Sequence, residues 1–208
     1  MIESPSSAGH VSAWLLPGTP ETVGIDPEGL EHAAKLAEAL VATGPLWAAG
    51  IAVARYGRLV FARSWGAARR EPSTPATPDT LFAVASITKP LTATAIVALS
   101  EQGAVDLDAP IATYVPEFAI GGKSAITIRQ LLTHTSGIDD SSMPRDPAKS
   151  PEEHMERIFR LTALHAPGVR YAYCNAGYRL LGEVISRVTD EPHERFFRRR
   201  LLEPMGMR

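Results

Sequence analysis

Ser86, Ile87, Thr88 and Lys89 set a hydroxyl and an amine three residues apart. On a helix that spacing turns both side chains to one face. A serine is a weak nucleophile until a neighbour takes its proton. A lysine amine can take it only when neutral, a state favoured by desolvation and by the positive end of a helix. The apolar approach Leu81-Phe82-Ala83-Val84-Ala85 predicts that the helix starts buried. Pro90 lacks an N–H and so leaves a carbonyl of the first turn without its usual donor. The competing reading makes Ser86 an N-cap and Lys89 a surface residue, because Ser-x-x-Lys arises by composition about once in a chain of this size.

Two further groupings could serve such a pair. Tyr173-Cys174-Asn175 follows Pro167-Gly168 and precedes a helical pattern. A phenol beside an amine can relay a proton, and a carboxamide can hold the amine or donate to a substrate carbonyl. Read alone, Asn175 is as well explained as an N-cap and Tyr173 as a buried aromatic with one hydrogen bond. Leu131-Leu132-Thr133-His134-Thr135-Ser136-Gly137 brings a histidine and a serine close in sequence, but without the Gly-x-Ser-x-Gly turn of a nucleophile elbow. A structural turn after a helix is the better reading.

The elements that must position these residues follow from local signals. Asp26-Pro27-Glu28 supplies an N-cap, a Pro at the first helical position and an early acid. The helix it opens carries Leu30, Ala33, Ala34, Ala37 and Leu40 at helical spacing and stops at Gly44-Pro45. Residues 50–56 and 59–65 form a predicted β-hairpin turning at Gly57-Arg58. Its strands are apolar at most positions, which suits a sheet covered on both faces. Residues 66–80, with Pro72, Pro75 and Pro78, read as a linker. A helix is predicted from about Ile87 to Gln102, with Leu91, Ala95, Ala98 and Leu99 on one face and a stop at Gly103. Asp106 to Pro110 is a turn. Thr127 to Gln130 matches a capping box opening a short helix that ends near His134. Ser150-Pro151-Glu152-Glu153 opens a helix to about Leu164. The last long helix runs from Gly177 to Thr189 with Tyr178, Leu181, Ile185 and Val188 on one face. The domain reading is a leader at 1–24, a helix-plus-hairpin part at 25–75 and a mainly helical part at 76–208.

Bulk properties narrow the classes. The chain has 208 residues, 45% hydrophobic and 21% charged, which is ordinary globular composition. A net charge of −2 creates no field favouring nucleic acid or an anionic membrane. The cluster Arg195, Arg198, Arg199 and Arg200 reads as a solvated helix face near a C-terminus. Cys174 is the only cysteine, which rules out an intramolecular disulfide and a multi-cysteine zinc site. The six histidines include no His-Glu-x-x-His, and no phosphate-binding glycine loop occurs. The expectation is an enzyme or binding protein with no cofactor, no metal and no nucleic-acid partner. With no basic start leading into an apolar core, and no apolar run of membrane-spanning length, the expected location is the cytoplasm.

Taken together, Ser86-x-x-Lys89, the Leu131–Gly137 motif, Pro167-Gly168, Tyr173-x-Asn175, Gly177-Tyr178-x-Leu180-Leu181-Gly182 and Pro204-Met205-Gly206-Met207 occur in one order. The set resembles the class C β-lactamase-like serine hydrolases, which include class C β-lactamases, D-Ala-D-Ala carboxypeptidases and a group of cytosolic esterases. The resemblance runs from about Leu30 to the end. It implies a mixed α+β fold of the β-lactamase/transpeptidase type, a helical region beside an antiparallel sheet of which only the N-terminal hairpin is present. It implies that Ser86 is acylated, that Lys89 and Tyr173 act as one proton-transfer unit, that Asn175 contacts the acyl side of the substrate, and that the Ser86 N–H is half of an oxyanion hole. Cys174 stands where the family usually has Ser or Ala, and its side chain is expected to face away from the pocket. The family's late strand with Lys/His-x-Gly does not occur before Arg208, so the chain reads as C-terminally incomplete, with activity impaired and open sheet edges prone to aggregation. The implied substrate is a small ester or amide, tilted toward esters by the missing secretion signal. The alternative is a non-catalytic remnant that keeps a ligand groove. Oligomeric state is not readable.

Overall fold

The computed structural model describes residues 15–144 and 147–207. The chain divides into two compact units, the first holding the described residues up to Ala83 together with Met205–Met207 and the second running from Val84 to Pro204. The sequence-based boundary was set at 75/76.

The first unit is built around a hairpin and one helix. Helix α1 (Pro27–Ala42) starts where predicted: the Asp26 carboxylate accepts from the Glu28 and Gly29 amides at 3.1 and 3.2 Å. Strands β2 (Ala48–Arg55) and β3 (Arg58–Arg69) pair antiparallel. The turn is Tyr56-Gly57, not Gly57-Arg58. Both turn residues have positive φ, 52° and 70°, the geometry that matches the right-handed twist of the strands and favours glycine at the second place.

The sheet holds more than the hairpin. Strand β1 (Leu16–Pro17), inside the segment taken as a leader, pairs in parallel with the start of β3, and β4 (Thr74–Pro75) pairs with its end. Residues 66–69 and 74–75, assigned to a linker, are therefore strand. The prolines misled because a two-residue strand tolerates Pro at its edge. Nor is the sheet covered on both faces among the described residues: no residue of β2 or β3 is fully buried. Leader residues 1–14 lie outside the described residues.

The second unit carries the main core. Helix α5 (Asn175–Thr189) lies at its centre, with Leu180, Leu181, Val184 and Ile185 fully buried. Around it pack α2 (Thr88–Glu101), α3 (Ile128–Leu132), α4 (Pro151–Phe159) and α6 (His193–Phe197). The α2 stripe that enters the core is Thr92, Ala95, Ile96 and Leu99. Gly103, at φ 73°, ends that segment as predicted. The Thr127–Gln130 capping box forms in both directions and opens α3. Helix α4 is capped by the Ser150 hydroxyl but stops at Phe159, five residues short of the expected Leu164. The Lys123 ammonium, itself buried, donates to the carbonyls of Phe159 and Leu161 at 2.6 Å each, so the chain turns away there with its terminal carbonyls satisfied. Ala163 then pairs with Ile138 as an isolated bridge.

Candidate functional site

Ser86 lies in a 3₁₀ turn (Ala85–Ile87) that runs directly into α2. Ala85 has φ 44°, a left-handed conformation that costs a residue with a Cβ about 1–2 kcal/mol. Such strain persists where surrounding structure enforces it, and it aims the next side chain. Lys89 follows one turn later. The expected buried start of the helix is not found: Ser86, Val84 and Ile87 are exposed and Lys89 is half-buried.

The tertiary fold brings all four predicted residues together. The Ser86 and Tyr173 hydroxyls are 2.7 Å apart. The Lys89 amine donates to Ser86 Oγ at 3.1 Å and to Asn175 Oδ1 at 2.8 Å. It also sits over the Tyr173 and Tyr178 rings, 4.8 and 5.6 Å from their centroids. Lys89 beside the phenol, and then the hydrogen bond with Ser86, hold Tyr173 below the ordinary tyrosine range. A phenol in this place yields its proton more readily than usual and can take one back from Ser86.

Asn175 is not the N-cap that local signals suggested. The cap is Cys174, which makes no side-chain cap bond, and Asn175 is the first helical residue. The capping is done from outside the helix. Asp140 Oδ2 accepts from the Asn175 amide at 2.6 Å and from the Ala176 amide at 3.0 Å, a charge-assisted arrangement at the positive end of α5. With its helix end satisfied by Asp140, the Asn175 side chain is free for Lys89. Sequence reasoning missed Asp140, which lies 35 residues away. The acidic pair Asp139-Asp140 just after Gly137 was the only local sign of it.

The remaining candidates take structural places. Ser136 is buried, and its hydroxyl accepts from the Ile138 amide at 3.4 Å. His134 instead meets the Tyr173 segment: its Nδ1 accepts from the Cys174 amide at 3.1 Å. Cys174 is buried in the core, and burial pushes its thiol up to about 11. Arg195, Arg198, Arg199 and Arg200 are exposed.

A pocket of about 580 Å³ opens on the site, with Ser86, Lys89, Asp140, Asn175, Tyr178 and Arg179 among its lining residues. Among the described residues no group of three His, Cys, Asp or Glu side chains could hold a metal ion, and no helix is long and apolar enough to cross a membrane.

Comparison with known proteins gives a consistent picture. A sequence model of the beta-lactamase family matches residues 33–208. Esterase EstB of Burkholderia gladioli is 35% identical over 177 residues, which cover 75% of this chain and 44% of that protein. The octameric penicillin-binding protein homologue of Pyrococcus abyssi superposes with a TM-score of 0.78 at 29% identity, over 88% of this chain and 44% of the other. A D-amino acid amidase from Ochrobactrum anthropi SV3 superposes with a TM-score of 0.71 at 32% identity, over 84% of this chain and 49% of the other. The chain thus spans less than half the length of these proteins.

Proposed function

The chain belongs to the beta-lactamase family, and on that premise we propose that it is a serine hydrolase that forms an acyl-enzyme at Ser86 from small esters or amides. The observation that carries the reading is the unbroken set of contacts Tyr173 Oη–Ser86 Oγ–Lys89 Nζ–Asn175 Oδ1, with steps of 2.7, 3.1 and 2.8 Å. The first two steps lie within the heavy-atom reach, about 2.6–3.2 Å, that lets a base take a proton from its donor.

In the proposed reaction Ser86 Oγ attacks the substrate carbonyl as its proton passes to the Tyr173–Lys89 pair. Tyr173 is the shorter contact and acts as its phenolate, which the Lys89 ammonium stabilises; the phenolate takes the Ser86 proton and becomes the neutral phenol. The Ser86 N–H donates to the developing oxyanion. Collapse of the tetrahedral intermediate breaks the carbonyl–oxygen or carbonyl–nitrogen bond. The leaving group takes the proton from Tyr173 as a free alcohol or amine. Water then repeats the sequence on the acyl-enzyme and releases the acid. Asn175 fixes the Lys89 amine and lies where the acyl side of the substrate enters. Family members named as an esterase and an amidase support both leaving-group types.

A second reading has its own observation. Tyr173 is 48% exposed, and a site that does not exclude water keeps less of its electrostatic advantage. In that reading the pocket binds ligand without turnover. One experiment separates the two. The full chain is mixed with a p-nitrophenyl ester, a chromogenic cephalosporin and a fluorescent penicillin, and peptide mass spectrometry locates any adduct. An acyl adduct on Ser86 that disappears in Ser86→Ala supports the hydrolase. A folded chain that binds these compounds and forms no adduct supports the binding protein.

A further inference from the structure

The Leu131–Gly137 motif is not used by the chemistry proposed above, yet it grips the residue that chemistry depends on. His134 sits just past the end of α3 with φ 56°, a conformation uncommon for a residue with a Cβ. From there it makes two hydrogen bonds to the extended segment ahead of α5. Its carbonyl accepts from the Ala172 amide at 2.8 Å, and its Nδ1 accepts from the Cys174 amide at 3.1 Å. The two amides flank Tyr173. Its ring also lies 4.5 Å from the Tyr173 ring at a 31° tilt, 5.0 Å from Tyr178, and edge-on to Tyr171 at 5.8 Å. Tyr178 is anchored in turn by its hydroxyl, which donates to the Leu132 carbonyl at 2.9 Å. Backbone before Tyr173, backbone after it and the ring itself are all held by one side chain and its carbonyl.

We propose that His134 is a positioning residue that holds the Tyr173 hydroxyl on Ser86, and that it does so only while its Nδ1 is unprotonated. The reason is stoichiometric. The Cys174 amide donates, so Nδ1 must offer a lone pair, which places the single ring proton of the neutral form on Nε2. A second proton on Nδ1 turns the acceptor into a donor that faces another N–H. The bond to Cys174 is then lost, and the end of the Tyr173 segment is released. The charged and titratable groups around the ring are Lys89 from α2, Asp140 from the loop after Gly137, Tyr171 and Tyr173 from the extended segment and Tyr178 from α5. Burial, and then the Lys89 charge, keep the imidazole below its ordinary range, with Asp140 opposing. The grip is therefore intact at neutral pH and fails on the acid side.

This inference rests on the serine hydrolase reading for its effect on rate, but the geometry can be tested without turnover. Two variants separate the roles. His134→Asn keeps an acceptor close to the Nδ1 position and suits the left-handed backbone, but cannot titrate. His134→Ala loses acceptor and ring. The pH dependence of Ser86 acylation by p-nitrophenyl acetate is measured on the full chain, beside an ultraviolet difference titration of the Tyr173 phenol with Tyr173→Phe as the blank. The expected result is a ~10–100-fold lower acylation rate in His134→Ala with KM nearly unchanged, the cost of a roughly 1 Å misplacement. His134→Asn should retain most of the rate and lose the acid inflection. In His134→Ala the Tyr173 phenol should titrate closer to an ordinary tyrosine. An acid inflection that survives in His134→Asn, or a Tyr173 titration unmoved in the folded alanine variant, overturns the proposal. If the parent chain shows no acylation at all, the hydrolase reading has failed, and the phenol titration still decides whether His134 positions Tyr173.

Discussion

The two compact units of this chain are held together differently. Residues 84–204 surround α5 with a continuous apolar core that includes Ile96, Phe118, Ile126, Leu131, Ile158 and Leu181. Among the described residues of the first unit, the buried apolar side chains are Val23, Ala34 and Ala37. There the β2–β3 ladder carries the structure, with half-exposed side chains on both strands. All four residues of the candidate site belong to the region with the core. Geometry good to a few tenths of an ångström requires side chains locked by dense packing, and in this chain that packing is concentrated beneath α5. The site itself lies at the exposed rim of the core, where a substrate can reach it.

The largest expected effect tests whether rim geometry is chemistry. Tyr173→Phe keeps the ring against His134 and removes only the hydroxyl, so Ser86 acylation should fall by ~10²–10⁴ while the melting temperature stays put. An unchanged acylation rate, read by quenched mass spectrometry, would remove Tyr173 from the mechanism.

A matched pair of glycines probes the two regions next. Gly66 and Gly137 both have positive φ, and an added Cβ would run into the carbonyl oxygen of Trp47 in one case and of His165 in the other. Each Gly→Ala change should cost about 2–5 kcal/mol, summing the left-handed penalty and the overpacking. Hydrogen exchange should show Gly66→Ala loosening the β2–β3 ladder. Gly137→Ala should loosen the 134–140 turn and lower Ser86 acylation, because that turn carries His134 and Asp140. Equal loss of acylation in both variants would break the comparison.

Lys123 offers a sharper view of the core. Its ammonium is buried against two carbonyls and the Phe118 ring, and burial holds it below the ordinary lysine range. Lys123→Met should cost about 1–3 kcal/mol through the carbonyls left unpaired. The pH dependence has a definite sign. A group whose folded pKa is depressed makes the native state bind fewer protons than the unfolded chain, so stability rises as pH climbs toward the ordinary lysine value. Denaturant melts across the alkaline range should show that rise in the parent and its loss in Lys123→Met. The smallest effect is Asp26→Ala, about 0.5–2 kcal/mol for a lost N-cap, with protection lost in α1 and Ser86 acylation unaltered.

Much of the fold was legible because it is decided over a few residues. Asp26, Thr127 and Ser150 were identified as caps, and each accepts from an amide two or three positions ahead. The α2 segment ends at Gly103 for an equally local reason. The misses lie where distant chain intervened. Helix α4 ends at Phe159, where Lys123, 36 residues earlier, takes up the carbonyl of the last helical residue. Residues 66–69 and 74–75 are strand because they find each other, against the signal of their prolines.

The candidate site divides along the same line. Ser86 and Lys89 were readable as a pair because one turn of helix joins them, and a three-residue interval needs no tertiary structure to interpret. That Tyr173 meets Ser86 across 87 positions was implied by the order of motifs, but only packing of α5 against α2 brings the two hydroxyls to 2.7 Å. Asn175 is the clearest case. Its sequence context is that of a cap, and it became the partner of Lys89 because Asp140 took over the helix end. Local hydrogen bonds and periodicity are written in neighbouring residues. Which of several acceptors a donor finally uses depends on every group the folded chain brings within reach, and the sequence alone does not order those choices.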